Sequence, residues 1–239
     1  MQNKNSSQSL ALVYVWSKKI RLFHWLNVLC VFLLITFGLI ILNSKALGVT
    51  SDGKVLLKTC HVLVGYIFCI NLLLRYVLGF FGTGFEKWSA TLAFNKGFAA
   101  ELKEYRQGAQ KAYQGHNPAG KLMITVMFLA LSIQMVSGLV IAGTDIYYPP
   151  FGGYFKEQIA IDSTQVELIK PYTKENVDTE KYKAMRDLRS PFITMHVYSF
   201  YLLLLLIPLH IAGVIYTERK EKSSITSAMI NGYKTLPKD

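Results

Sequence analysis

Four of the five histidines lie inside long apolar runs of the sequence. These four are His24, His61, His196 and His210, whereas His116 lies in a Gly-His-Asn-Pro stretch between two runs. An ionisable side chain inside a membrane is costly, so each of the four is a functional candidate. Taken singly, His24 or His61 near a helix end is as readily an interfacial residue as a metal ligand. The arrangement of all four distinguishes these two interpretations.

His196 and His210 lie fourteen residues apart in the fourth apolar run. At 100° and 1.5 Å per residue, they share one helix face and are separated by about 21 Å along the axis. His24 opens the first run and His61 the second, which crosses in the opposite direction, so each matches one of those two depths. Paired neutral imidazoles fill both axial positions of a low-spin electron-transfer haem. We predict two b-type haems, with iron-binding pairs His24/His210 and His61/His196.

Further residues are predicted to shape or contact these haem sites. Gly38, Gly65 and Gly138 provide room for a flat macrocycle, or else allow close contact between helices. Arg75, near the end of the second run, either neutralises a haem propionate or extends to the membrane interface. His116 is not predicted to be an iron ligand, but to contact a propionate or a quinone.

The histidines are carried by four segments long enough to cross a bilayer. The chain has 239 residues, of which 51% are hydrophobic and 13% aromatic, a composition typical of a membrane protein. The first apolar run is too long for a cleavable signal peptide. We expect an all-α, integral membrane four-helix bundle that forms a single domain over residues 1–239. The predicted transmembrane helices cover residues 23–42, 61–81, 122–143 and 192–216.

The distribution of basic residues predicts the orientation in the membrane. Four spans place both termini on one side, where fifteen Lys and Arg residues lie, against ten on the other side. By the positive-inside rule, both termini are cytoplasmic. The chain is then a multi-pass protein of a bacterial inner membrane, with a long periplasmic loop between helices 3 and 4. The fifteen lie in residues 1–22, 82–121 and 217–239, and the ten in 43–60 and 144–190.

Charge and cysteine content exclude other classes of protein. The formal net charge is +11, but the basic residues lie between apolar runs and form no nucleic-acid groove. Cys30, Cys60 and Cys69 form no haem-attachment motif, so covalent c-type haem is not expected. A mixed-charge stretch near 101–111 is predicted as a helix, either along the inner membrane surface or solvated.

Several motifs resemble the di-haem cytochrome b subunit of membrane-bound nickel-iron hydrogenases, a bacterial membrane cytochrome b. The resemblance covers nearly the whole chain. It rests on Val-Tyr-Val-Trp at 13–16, Arg-Leu-Phe-His-Trp-Leu-Asn at 21–27, His61 with Gly65-Tyr66, Leu-Leu-Leu-Arg ending at Arg75, Gly-His-Asn-Pro at 115–118, the spacing of His196 and His210, and the tail at 227–234.

The resemblance implies bis-histidine ligation and electron exchange between a periplasmic redox partner and the quinone pool of a respiratory chain. The segment 144–190 looks longer than in the hydrogenase subunits, which leaves the partner open between a hydrogenase and a multihaem cytochrome c. Its aromatic and proline-rich start suits a membrane interface, and its charged remainder suits either a docking surface or a solvated cap.

Three functions are compatible with these features. The first is an electron-transfer subunit that leaves substrate chemistry to another subunit. The second is a stand-alone transmembrane oxidoreductase, such as a superoxide:quinone oxidoreductase or a ferric reductase. The third is a proton or ion carrier that uses the histidines as relays. A reduced spectrum showing two b haems per chain would exclude the third.

Overall fold

Short polar side chains cap the starts of the long helices. In a computed structural model, which describes residues 10–108 and 113–237, Thr50 Oγ1 accepts from the amide of Gly53 at 3.1 Å, and Asn117 Oδ1 accepts from Gly120 at 2.8 Å. Asp178 Oδ1 accepts from two amides of the following turn, at 3.0 and 3.1 Å. Such caps satisfy amides that have no partner within the helix, which explains where these helices begin.

Twelve elements follow one another among the described residues. They are β1 (Leu10–Tyr14), α1 (Lys18–Leu42), α2 (Ser51–Phe81), a 3-10 turn (Gly84–Glu86), α3 (Trp88–Thr91), α4 (Phe98–Arg106), α5 (Pro118–Asp145), α6 (Gly152–Ile159), a second 3-10 turn (Ser163–Leu168), α7 (Thr179–Glu221), α8 (Ile225–Asn231) and β2 (Tyr233–Pro237).

Four of these helices, α1, α2, α5 and α7, are long and apolar enough to cross a membrane. They carry many large exposed apolar side chains, for example Leu22, Phe32 and Phe80. In water such side chains would be a liability, whereas in a bilayer they contact lipid. The prediction of an all-α membrane protein with four transmembrane helices is confirmed.

The helix bounds correct the sequence-based description of the last connection. Each long helix contains its predicted span and extends beyond it, and α7 starts at Thr179 rather than near residue 192. Residues 179–191, predicted as loop, are therefore helical. They are rich in charged residues, so hydropathy detects only the apolar part of the helix that follows. The predicted helix near 101–111 is α4, and residues 109–112 lie outside the described part of the chain.

The described chain packs as two compact units, and each contains part of all four long helices. Of the described residues, unit 1 comprises 10–25, 73–108, 113–128 and 204–237, and unit 2 comprises 26–72 and 129–203. Whether residues 1–239 act as one domain stays a prediction.

In unit 1, the first and last described segments of the chain pair with each other. β1 and β2 form an antiparallel ladder in which Leu12 faces Thr235. Val15 and Trp16 donate backbone hydrogen bonds to the carbonyl of Gly232, at 2.8 and 3.2 Å. Gly232 has φ of +95°, and a Cβ there would lie 2.9 Å from the Trp16 carbonyl oxygen, so glycine is required.

In unit 2, the connection between α5 and α7 has a small core of its own. Ile159, Ala160, Ile169 and Met185 are buried against one another. This core joins α6, the second 3-10 turn and the start of α7. The segment that precedes α7 is thus a folded cap rather than an extended loop.

Candidate haem-binding sites

A large apolar cavity lies within unit 2. Its volume is about 490 Å³, and residues of α1, α2, α5 and α7 line it. That volume falls in the range of small-molecule and cofactor sites. His61 and His196 lie in its wall together with Gly38, Gly65 and Gly138, all five of which the sequence had singled out.

The His61 and His196 rings are spaced as two ligands of one metal ion. Their centroids are 6.3 Å apart and their planes are inclined by 67°. A metal–imidazole bond is about 2 Å long, and a ring nitrogen lies about 1.1 Å from the ring centroid. Two imidazoles on opposite sides of one metal would therefore have centroids about 6.2 Å apart. The measured spacing leaves room for an axially ligated iron between the rings.

Polar side chains of α5 hold the His196 ring. The Ser137 hydroxyl donates to the carbonyl of Ile133 at 2.5 Å and lies 3.0 Å from His196 Nδ1. Because that hydroxyl proton is already used, His196 Nδ1 is assigned as the donor to Ser137 Oγ. Its Nε2 is then the unprotonated nitrogen, which is the one a metal needs. Gln134 Nε2 donates to the His196 carbonyl at 2.9 Å, which adds a contact between α5 and α7.

Ser137 and Gln134 are contacts of His196 that were not predicted from the sequence. The signal was present, because polar side chains in the middle of an apolar run are costly unless they serve a purpose. Ser137 also directly precedes Gly138, which had been identified.

The glycines lie against the two rings or beside the cavity. A Cβ at Gly38 would lie 3.6 Å from His61 Cε1, and a Cβ at Gly138 would lie 3.4 Å from His196 Cε1. A larger side chain at either position would press on an imidazole. Gly65 has nothing within 4 Å of its Cβ position, so a side chain there would occupy the cavity instead.

The second predicted pair, His24 and His210, lies in unit 1. His24 lies on α1 and His210 on α7, and both belong to this unit. Nδ1 of His24 is buried and has no hydrogen-bond partner among residues 10–108 and 113–237. A buried polar atom without a partner is unusual and marks a position that a further group can satisfy.

Arg75 is held by the segment that follows α2. It is buried, and its Nη1 donates to the carbonyl of Glu86 at 2.9 Å and its Nη2 to Thr91 Oγ1 at 3.4 Å. The guanidinium carbon lies 4.2 Å from the centroid of the Trp88 ring, a cation–π contact. These contacts join α2 to residues 83–92, and the predicted bond to a propionate would use the N–H groups that remain.

His116 packs in a loop of unit 1 against Trp16, with ring centroids 4.6 Å apart. Burial first, and then the positive charge of Lys234, lowers the pKa of His116 to about 3. The ring is therefore neutral at physiological pH. A neutral imidazole can hydrogen-bond to a carboxylate or to a quinone oxygen, but it offers no positive charge.

The sequence matches the family described as "Prokaryotic cytochrome b561" over residues 15–232. The chain belongs to this family. Haem b is the cofactor of a b-type cytochrome, and membrane electron transfer is its class of function.

Curated relatives agree with this membership at low identity. A protein of Rhodobacter capsulatus is 23% identical over 241 residues, covering 95% of this chain and 83% of the relative. A protein of Cupriavidus necator is 20% identical over 248 residues, covering 97% and 90%. Both are described as "Probable Ni/Fe-hydrogenase B-type cytochrome subunit". No solved structure matches the chain.

The residues of this cytochrome fit a haem in unit 2. An apolar cavity, two imidazoles at the spacing of axial ligands and three glycines beside them are what a flat iron macrocycle between helices requires. Unit 1 offers a histidine pair, of which one ring has an unsatisfied nitrogen.

Proposed function

We propose that this cytochrome is the electron-transfer subunit of a respiratory oxidoreductase and carries two haem b groups. The spacing of the His61 and His196 rings, 6.3 Å between centroids, is the observation that carries the proposal. Haem b supplies reversible one-electron chemistry at its iron. His61 and His196 would hold the iron from both sides, so that no position would be open for a substrate.

Each histidine pair is proposed to serve one haem. His61 and His196 hold one within unit 2, and His24 and His210 hold the other within unit 1. The Ser137 hydroxyl keeps His196 in the tautomer that presents Nε2. The apolar lining would exclude water from a haem bound there, which would favour electron transfer over side reactions.

The redox partner is proposed to be a hydrogenase-like subunit or a multihaem cytochrome c on the periplasmic side, with quinone as the second partner. The names of the relatives support a hydrogenase-type partner, because each is described as a hydrogenase subunit. The folded cap between α5 and α7 supports a docking role, because a stable surface can present defined contacts. Quinone would reach the protein from the lipid.

Single substitutions test the number of haems and their ligands. We expect His196→Ala and His210→Ala each to remove one of two low-spin b haems, because loss of an axial ligand leaves the iron held from one side only. Reduced-minus-oxidised spectra and the haem-to-protein ratio of purified chain measure this, with wild-type chain as the reference. Retention of both haems in either variant, or a wild-type ratio of one, would contradict the two-haem proposal.

The purified chain also tests its role as a subunit. We expect it to be reduced by a donor such as dithionite, but not to oxidise superoxide with quinone as the electron acceptor or to reduce ferric ion with quinol as the electron donor. Sustained turnover by the chain alone would favour the stand-alone oxidoreductase. Copurification with a redox subunit from native membranes would identify the partner.

A further inference from the structure

One end of the unit 2 cavity is charged. Lys54, Lys58 and Asp145 line that end, whereas the greater part of the wall is apolar. A ligand that fills the cavity therefore meets apolar side chains over most of its surface and charged groups at one edge. This division suits an amphipathic ligand.

The two lysines lie on the same face of α2 as His61. They precede it by seven and three residues, which places them about 20° and 60° from it around the helix and about 10 and 5 Å along the axis. Both therefore lie to one side of the imidazole, along the same wall. A ligand bound at His61 extends its edge towards them.

The positive charges at this end exceed the negative ones. Asp145 accepts from two cations: its Oδ2 pairs with the Lys58 ammonium group, and its Oδ1 lies 2.8 Å from Arg189 Nη1. Lys54 has no ion-pair partner in the part of the chain that the structure describes. The wall itself therefore has an excess of one positive charge. With Arg189, which is not part of the wall, the group contains three cations and one carboxylate.

Partial burial makes this excess matter. The side chains of Lys58 and Asp145 are 18% and 17% exposed. Charges removed from water are stable only when they are paired. Because Arg189 can keep Asp145 paired, the two lysines of the wall favour a ligand with two negative charges. The haem macrocycle carries two carboxylates at one edge, which matches both the number and the position of the lysines.

We propose that Lys54 and Lys58 bind the two carboxylates of the haem held by His61 and His196. Lys58 exchanges its contact with Asp145 for a haem carboxylate. Asp145 keeps its pair with Arg189, so no charge is left without a partner when the exchange occurs. Tyr172, whose hydroxyl lies 2.5 Å from Lys58 Nζ, keeps that ammonium group at the cavity edge. The inference rests on the proposed function, because it takes haem as the ligand.

Haem b and its dimethyl ester distinguish carboxylate recognition from simple fit. We use the full-length His210→Ala chain, produced in membranes without haem, so that only the unit 2 site binds. This chain is expected to bind haem b more tightly than the ester. In the added Lys54→Gln/Lys58→Gln background, that preference is expected to fall by about tenfold or more, since two charge-assisted contacts are lost.

Lys45→Gln is the matched control, because Lys45 is exposed and lies in the same unit before α2. It is expected to leave the preference for haem b unchanged, and Lys54→Arg/Lys58→Arg to retain most of it. If the His210→Ala chain preferred haem b over its ester equally with and without Lys54→Gln/Lys58→Gln, the inference would be overturned. Absence of low-spin haem from wild-type chain with either porphyrin would instead overturn the proposed function.

A second measurement covers a Gln variant that fails to bind either porphyrin. In the haem-loaded chain with all four histidines intact, the single substitutions Lys54→Gln and Lys58→Gln are each expected to lower the midpoint potential of one haem. The reason is that a nearby cation stabilises the reduced iron. The other haem and the Lys45→Gln control are expected to keep their potentials. Unchanged potentials in both single variants would overturn the inference.

Discussion

At the scale of residues, polar side chains inside the membrane decide how the imidazoles are presented. A histidine in an apolar helix can turn its ring and can carry its proton on either nitrogen. Ser137 restricts both choices for His196 through one hydrogen bond of 3.0 Å. Such outer partners often contribute as much to a metal site as the spacing of the ligands themselves.

Substituting Ser137 tests this role. We expect Ser137→Ala to weaken haem binding at the unit 2 site by about tenfold, because the His196 ring loses the partner that orients it. Haem titration of apo chain measures the affinity, and electron paramagnetic resonance should show a change in one of two low-spin ferric signals.

Ser190→Ala is the control for this substitution, since Ser190 is exposed on α7. It is expected to leave both signals and both affinities unchanged. If neither ferric signal of Ser137→Ala changed, Ser137 would not orient His196. If both signals changed, its effect would not be confined to His196.

At the scale of elements, polar caps and hydropathy determine different parts of each helix. Hydropathy locates the portion that crosses the membrane, while caps such as Asp178 locate the start of the helix. For α7 the two lie more than ten residues apart, because its first turns are charged. The first turns of α7 thus belong to the folded segment between α5 and α7, and its apolar part crosses the membrane.

The pairing of β1 with β2 depends on a glycine at the end of α8. We expect Gly232→Ala to lower the thermal unfolding midpoint and to expose β2 to protease, because the new Cβ would strain a backbone at φ of +95° and press on Trp16. Limited proteolysis in detergent, followed by mass spectrometry of the C-terminal fragment, measures the second effect.

Gly153→Ala provides the comparison, because nothing lies within 4 Å of its Cβ position and its φ is not positive. It lies within α6, where alanine is the better helix former, so the unfolding midpoint should stay equal or rise slightly. If Gly153→Ala lowered the unfolding midpoint as much as Gly232→Ala, the positive φ of Gly232 would not be the reason for the loss of stability.

At the scale of the whole molecule, each compact unit contains one histidine pair. His24 and His210 belong to unit 1, and His61 and His196 belong to unit 2. Every long helix contributes residues to both units, so a single set of four helices supplies two separate candidate sites.

The orientation of the helices is a prediction at this scale. We expect both termini to be cytoplasmic, because the terminal side carries the excess of Lys and Arg. A fluorescent protein fused at the C-terminus should fluoresce, and alkaline phosphatase at the same point should be inactive.

Fusion of the same reporters within 170–174, between the second 3-10 turn and α7, is the control and should give the opposite result. If phosphatase were active at the C-terminus and inactive at 170–174, the orientation would be reversed, and the redox partner would have to dock on the other side.

The sequence by itself was sufficient for the class of fold and for the candidate ligands. Apolar runs of membrane length are a local property of the chain, so four transmembrane helices could be counted without a structure. Ionisable residues inside such runs stand out for the same reason. Regular helix geometry then related His196 to His210, because both lie on one helix.

Contacts between segments were decided only by the tertiary structure. Ring spacing, the Ser137 contact and the charged edge formed by Lys58, Asp145 and Arg189 all join residues that are far apart in the chain. Hydropathy also could not reveal the first turns of α7. Their start depends on capping by Asp178, and their packing depends on the small core that contains Ile159 and Met185. Such features depend on which side chains meet in space, and the order of residues does not state that directly.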